Sequence, residues 1–277
     1  MTRAALVHSR ADFFGAREQF AGPVGLVPTM GALHAGHVAL IQHARQTCES
    51  VVVTVFVNPM QFAPTEDLAV YPRTLDQDMA ICERAGVDLV WAPAVDDVYP
   101  AGTAQVAVDP GRLAGELEGA VRPTHFAGVL TVVAKLFGLV RPAYAFFGEK
   151  DYQQLALIQR MVGDLELGVG VSGVPTVREA DGLALSSRNA FLSPAERRRS
   201  VVLSRSLFAG RGVAGEGADA VLSVARSVLA TEPEVSVDYL ELRDAALGPN
   251  PTRGAARLLV AARVGTTRLI DNVGIAL

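Results

Sequence analysis

VGLVPTMGALHAGH, residues 24–37, runs from an apolar, β-branched stretch into a loop that holds Gly31, His34, Gly36 and His37. Val24–Val27 reads as a strand, and Val38, Ile41 and Ala44 recur along one side of a helix over His37–Arg45. A strand that ends in a glycine-containing loop and opens a helix is the anion-receiving element of a parallel α/β sheet. The first N–H groups of the helix lack intrahelical partners and carry partial positive charge.

Outward from this unit the alternation continues. Val51–Val57 reads as a buried strand, Thr74–Ala85 as a helix closed by Gly86, and Val87–Trp91 as another strand. Thr124–Val140 is a strongly apolar helix, Ala143–Phe147 a strand, and Asp151–Leu165 a helix with Leu155, Ile158, Met161 and Leu165 at helical spacing. This rhythm predicts an α/β fold with a doubly wound parallel sheet. Near Val174-Pro-Thr-Val the pattern changes. Ser193-Pro-Ala-Glu196 is a capping box with proline at the first helical position, so a helix is expected from there to about Ala209. Ala209–Ala220 reads as a Gly/Ala-rich bend, Ala218–Ala230 as a helix, and Val235–Arg243, Arg257–Val264 and Thr267–Val273 as strands. Two domains are expected, 1–176 and a smaller α+β domain over 177–277.

Composition narrows the function classes. The chain has 277 residues, half of them hydrophobic, with 25 basic and 29 acidic side chains and a net charge of −4. That is a globular composition, too acidic for a broad phosphate-tracking surface and, at 6% aromatic, too poor in rings for a single-strand stacking platform. Nucleic acid is therefore not expected as a partner. The apolar stretch Gly128–Val140 carries Lys135 and falls short of the roughly 18 residues a membrane span needs, so no membrane association is expected either. The N-terminus meets Arg10 and Asp12 before a signal-peptide core can develop, and Cys48 and Cys82 form neither a CxxC pair nor a disulfide framework. A reducing cytoplasm is the expected setting.

Four segments carry residues suited to chemistry. His34 and His37 sit at a helix start, where imidazoles can donate hydrogen bonds to phosphate oxygens; capping or packing is the competing role, and zinc would need ligands the sequence does not supply. Asn58 and Gln61 follow the second strand as uncharged amides able to hold hydroxyl or carboxylate groups. Lys150, Asp151 and Gln154 follow the Phe146-Phe-Gly turn, where the lysine can neutralise phosphate charge. Ser186, Ser187 and Arg188 form a compact anion cradle, with an ordinary polar turn as the alternative. No GxSxG, Walker A or GxGxxG motif accompanies them.

Taken in order, PTMGALHAGH (28–37), FVNPMQF (56–62), YPRT (71–74), THFAGVLTVV (124–133), FFGEKDYQQL (146–155) and VREADGLALSSRN (177–189) resemble the pantoate–β-alanine ligase family, and the similarity continues through VDYLELRD (237–244) and LIDNVGI (269–275). The HxGH element alone is shared with a wider nucleotidyltransferase superfamily. The resemblance implies a Rossmann-like ATP-binding domain, a C-terminal domain closing over it and a homodimer. It implies that ATP, with magnesium, and pantoate form an enzyme-bound pantoyl adenylate that β-alanine then attacks.

Carried over residue by residue, the resemblance makes Met30, Gly31, Ala32, Leu33, His34, Ala35, Gly36 and His37 the ATP-binding loop, with His37 and His34 catalytic beside Lys150. Gly148, Glu149, Lys150 and Asp151 match a second ATP segment, Val177 a backbone contact to adenine, and Leu185, Ser186, Ser187 and Arg188 a phosphate-side loop. Gln61, Gln154 and Asn58 match substrate-binding amides, with Tyr71, Arg122 and His125 around the same cleft, while Asp76 and Asp78 are candidates for magnesium. Ala35 stands where the family usually has Glu. Another HxGH nucleotidyltransferase, or a silent ATP-binding protein of the same fold, are the competing readings.

Overall fold

Consecutive valines in a strand can all be buried only where both faces of the sheet are covered. Val51, Val52 and Val53 are all fully buried, as are Leu26 and Val27 in the neighbouring strand. The computed structural model describes residues 4–62, 68, 71–249 and 251–277, so Met1–Arg3 of the N-terminal stretch read above lie outside it. The chain divides into two units: one runs to Gly148 and resumes over Gln153–Val174, and the other comprises Glu149–Tyr152 and Pro175–Leu277.

The first unit contains β1 (Ala5–Val7), α1 (Arg10–Arg17), β2 (Val24–Thr29), α2 (Ala35–Thr47), β3 (Ser50–Val55), α3 (Leu75–Ala85), β4 (Leu89–Trp91), α4 (Val95–Val98), α5 (Glu118–Val121), α6 (His125–Val140), β5 (Tyr144–Gly148), α7 (Tyr152–Asp164, after its first residue) and β6 (Gly170–Val174). The strands form one sheet in the order β1-β4-β3-β2-β5-β6. Every pairing is parallel, with Leu26 opposite Val52 on one side and Ala145 on the other. From β2 the chain winds outward through β3 and β4, and from β5 it winds the other way to β6. The reversal between β2 and β5 is where an open sheet of this kind leaves a crevice outside its carboxyl ends. The doubly wound sheet predicted from the alternation is present.

Local differences have local causes. α2 starts at Ala35, two residues before the expected helix, because His34 is its N-cap. β6, with two glycines in five residues, has little strand propensity of its own and is set by its pairing with β5 from Tyr144 to Gly148. β1 escapes the pattern because it is a three-residue edge strand.

The second unit holds α8 (Pro194–Gly212) and α9 (Ala218–Leu229) over an antiparallel sheet of β7 (Val235–Asp244), β8 (Ala255–Val264) and β9 (Thr267–Ala276). Leu203, Leu207, Val221, Ala225, Leu258 and Val260 form its core. The capping box is made: Ser193 Oγ accepts from the Glu196 N–H at 3.3 Å, and the Glu196 carboxylate accepts from the Ser193 N–H at 2.8 Å. α8 continues through the expected bend at Ala209 to Gly212. A Cβ at Gly210 would meet Leu258 Cδ2 at 2.9 Å and the Val221 carbonyl at 3.0 Å, so this glycine serves close packing and does not mark a chain break.

Cys48 and Cys82 are buried and unpaired. Burial pushes the Cys82 thiol up to about 12, with the Asp78 and Glu83 carboxylates adding to it, and burial also raises Cys48. Since the thiolate is the reactive form, a chromogenic disulfide reagent at mildly alkaline pH should label neither cysteine in the native protein and both after denaturation. Prompt labelling of native protein would contradict this packing.

Candidate active site

In the first unit, the turn after β2 must lead a buried strand into α2 without leaving its N–H groups unpaired. Gly31 and Ala32 both take positive φ, 85° and 51°, which bends the chain sharply. Thr29 Oγ1 accepts from the Gly31 N–H at 3.2 Å and donates to the Thr54 carbonyl at 2.7 Å. The Asp78 carboxylate, 1% exposed, accepts from the Ala32 and Leu33 N–H groups at 3.1 and 2.8 Å, with the Thr74 hydroxyl 3.3 Å away. A buried carboxylate from α3 thus satisfies the amides of the bend.

The two histidines finish the turn. His34 Nδ1 accepts from the Gly36 N–H at 3.1 Å, and His37 Nδ1 accepts from the His34 N–H at 3.2 Å, a capping box made by two imidazoles. Their ring centroids are 4.3 Å apart. Capping therefore uses the Nδ1 atom of each ring. With Nδ1 accepting, the neutral ring carries its proton on Nε2, which becomes the donor. Ala35 contributes only the first helical residue, and neither capping bond uses its side chain.

Asn58, 1% exposed, ties the next segment together. Its Oδ1 accepts from the Met60 N–H at 3.3 Å and from the Tyr99 hydroxyl at 3.0 Å, and its Nδ2 donates to the Gly128 carbonyl at 3.1 Å and to Gln61 Oε1 at 3.3 Å. Burial pushes the Tyr99 hydroxyl up to about 12, so it stays a donor at neutral pH. Gln61, oriented by Asn58, donates from Nε2 to Met30 Sδ at 2.8 Å and so lies against the histidine loop. Its backbone carbonyl accepts from His125 Nδ1 at 2.9 Å and from Arg122 at 3.4 Å. A carbonyl only accepts and a guanidinium only donates, so His125 carries its proton on Nδ1 and receives Arg122 at Nε2, 3.2 Å away. Tyr71 packs edge-on against Phe62, and Gln154 is half-buried early in α7.

In the second unit, Glu149–Asp151 form a 3-10 turn in which Lys150 Nζ lies 3.5 Å from Asp151 Oδ1. Val177 and Leu185 lie across a hairpin, with the Leu185 N–H donating to the Val177 carbonyl at 3.0 Å. Arg197 of α8 holds that hairpin by Glu179 at 2.6 Å and Asp181 at 2.8 Å, and its hydrogen bond keeps the Asp181 carboxyl below its ordinary value. Ser186 caps the 3-10 turn Ser187–Phe191 by accepting from the Arg188 N–H at 3.3 Å.

Several expectations change. Of the two magnesium candidates, Asp78 is buried and engaged by the loop amides, while Asp76, two residues earlier on the same helix, is exposed. The polar atoms of Asn58 are bonded within the unit, so it acts on Gln61. Tyr99 and Asn272, both buried polar groups, are not singled out by the residue-by-residue reading. The signal available for Asn272 was a polar Asp-Asn pair inside the apolar strand LIDNVGI.

A parallel sheet with its HxGH loop at the topological switch point defines an HxGH-type nucleotide-binding α/β protein. The profile described as Pantoate-beta-alanine ligase matches residues 5–274, and the chain belongs to that family. It is 57% identical over 275 residues to a pantothenate synthetase of Salinispora arenicola, covering 98% of each chain. It is 60% identical over 250 residues to that of Saccharopolyspora erythraea, covering 90% of this chain and 82% of the relative. A pantothenate synthetase structure from Thermus thermophilus superposes with a TM-score of 0.91 at 49% identity, over 97% of this chain and 98% of that one. A Francisella tularensis pantoate-beta-alanine ligase complexed with beta-gamma ATP and beta-alanine gives 0.82 at 32% identity, over 98% and 97% of the two chains.

Gly128 lets α6 approach the Pro59–Gln61 turn: a Cβ there would lie 2.1 Å from the Met60 carbonyl oxygen and 2.7 Å from the Gln61 nitrogen. Gly128→Ala should lower unfolding free energy by roughly 1–3 kcal/mol, read from the urea midpoint at unchanged slope. Gly138→Ala on the same helix, whose methyl would meet nothing within 4 Å, is the control and should be neutral or stabilising.

Proposed function

We propose that this chain joins pantoate to β-alanine with ATP in two steps, and that the imidazole capping box is the observation that carries the reading. In the first step a pantoate carboxylate oxygen attacks the α-phosphorus of ATP, an O–P bond forms and pyrophosphate leaves. In the second the amine of β-alanine attacks the acyl carbon, AMP leaves with the bonding pair, and the amine loses its proton to give the amide. Carboxylate oxygen is a poor leaving group and AMP a good one, so activation must come first. No covalent enzyme nucleophile is required.

His34 and His37 supply Nε2 donors to phosphate oxygens where negative charge builds up, and because capping fixes both rings beforehand, little reorganisation accompanies the displacement. Lys150, Ser186, Ser187 and Arg188 supply further charge and donors to the phosphates, with Gly148, Glu149 and Asp151 shaping their segment and Val177 and Leu185 taking the base side. Gln61 and Gln154 hold pantoate in line with the phosphorus, a positioning task for uncharged amides. Asn58 contributes by aiming Gln61, while Arg122 and His125 anchor the Gln61 backbone and, with Tyr71, border the acceptor region. Among the described residues no three His, Cys, Asp or Glu side chains cluster to hold a metal ion, and Asp78 is already engaged. Magnesium is accordingly read as part of the MgATP substrate, with the phosphates as its ligands. Among the described residues no helix is long and apolar enough to cross a membrane. The family homodimer and a cytoplasmic setting complete the proposal, the latter in keeping with two buried, unpaired thiols.

Pyrophosphate release should depend on pantoate, and pantothenate and AMP should form only after β-alanine is added; release with a different acceptor alone would overturn the substrate assignment. His37→Ala and Lys150→Ala should each slow pyrophosphate release in rapid-quench assays by roughly 10²–10³-fold with the fold intact. A wild-type burst in either variant removes that residue from the mechanism.

Asp78→Asn replaces one acceptor oxygen under the Ala32 and Leu33 amides with a donor. Activity should fall while the magnesium concentration for half-maximal rate stays unchanged. A large increase in the magnesium requirement would instead make Asp78 a metal ligand.

A further inference from the structure

The last strand of the second unit carries two adjacent polar residues, Asp271 and Asn272, each only 3% exposed. Successive strand residues face opposite sides, so the pair works in two directions. Asn272 Nδ2 donates to the backbone carbonyls of Glu149 and Lys150, both at 2.9 Å. Its Oδ1 accepts from Arg257 at 3.1 Å; the same guanidinium reaches the Glu149 carboxylate at 3.2 Å and lies 3.9 Å from the Tyr152 ring centroid. Asp271 receives Arg178 through two hydrogen bonds of 2.6 and 2.9 Å, and Arg178 also donates to the Gly182 carbonyl at 3.0 Å and to the Asn272 carbonyl at 3.2 Å. The Asn272 N–H returns to Asp271 Oδ1 at 2.7 Å.

These bonds join two segments that are remote in sequence. The Glu149–Asp151 turn is a single 3-10 turn, too short to satisfy its own carbonyls, and Asn272 satisfies two of them. Arg178 lies in the Val177–Leu185 hairpin, so the dipeptide fixes the turn that carries Lys150 and the hairpin together. A buried polar cluster of this kind adds little net stability over well-packed apolar residues. Its specific contribution is geometric.

We propose that Asn272 is a positioning residue for Lys150, and that with Asp271 it holds the lysine turn in register with the Val177–Leu185 hairpin. The proposal rests on the reading that Lys150 acts on the phosphates of ATP. It gives the LIDNVGI strand, remote in sequence from the HxGH loop, a direct bearing on adenylate formation. Misplacing a charged donor by about 1 Å is enough to slow a positioned displacement by about 10²-fold.

The test is a double-mutant cycle on the full-length protein, reading the single-turnover rate of pyrophosphate release with MgATP and pantoate. Asn272→Ala should slow this step by roughly 10–100-fold. The double variant with Lys150→Ala should be no slower than Lys150→Ala alone, because removing the lysine removes what Asn272 positions. A wild-type rate in Asn272→Ala, or losses that multiply in the double variant, would overturn the proposal. A wild-type rate in Lys150→Ala would instead overturn the role of Lys150 on which it rests. If circular dichroism shows that Asn272→Ala does not fold, Arg257→Gln removes the group that aims the carboxamide and leaves β9 unaltered. It should slow the same step without multiplying the Lys150→Ala loss; a wild-type rate or a multiplied loss again overturns the proposal.

Discussion

A strand that ends at the centre of a parallel sheet delivers backbone N–H groups to a place where water is scarce, and each must find an acceptor. After β2 those acceptors are Thr29 Oγ1, the Asp78 carboxylate and the Nδ1 atoms of His34 and His37. The bend at Gly31 and Ala32 is tolerable because these bonds over-determine it. Once it is set, the entry of α2 and the direction of both imidazoles follow. Met30, at the start of the same loop, receives the Gln61 amide, so the Pro59–Gln61 turn is built against the histidine loop.

The same economy of acceptors recurs at the other polar positions. Asn58 links Tyr99, the Gly128 carbonyl, the Met60 N–H and Gln61, using both ends of its amide. In the second unit, Asn272 takes the carbonyls of the lysine turn while Asp271 takes Arg178. Partly satisfied networks of this sort are costly, and fully satisfied ones are rigid. Rigidity suits the proposed displacement at phosphorus, because positioning and charge stabilisation supply most of the catalysis in a step of that kind.

Much of the fold was legible in advance. The alternation of apolar runs with helical spacing gave the doubly wound sheet, and Ser193-Pro-Ala-Glu196 gave the start of α8, because periods and caps depend on neighbours a few residues apart. β6 is not legible because its glycines have no period to read, and the sequence pattern ends α8 early because a glycine used for close packing looks like a glycine that ends a helix. His34, His37, Gln61 and Lys150 are marked as candidates by residue type at strand ends. Asp78 is marked as well but its backbone partners are not, since helical spacing shows which face a carboxylate occupies and not what packs there.

The sequence by itself therefore determined the class of fold, the family and the loops proposed to carry the chemistry, all of which are written in local spacing and ordered motifs. Tertiary structure alone decided which buried polar groups hold those loops. Asp78 meets Leu33 across 45 residues, and Asn272 meets Lys150 across 122. No local period encodes such pairs: the topology of each unit brings the donors to the acceptors, and burial makes their hydrogen bonds obligatory.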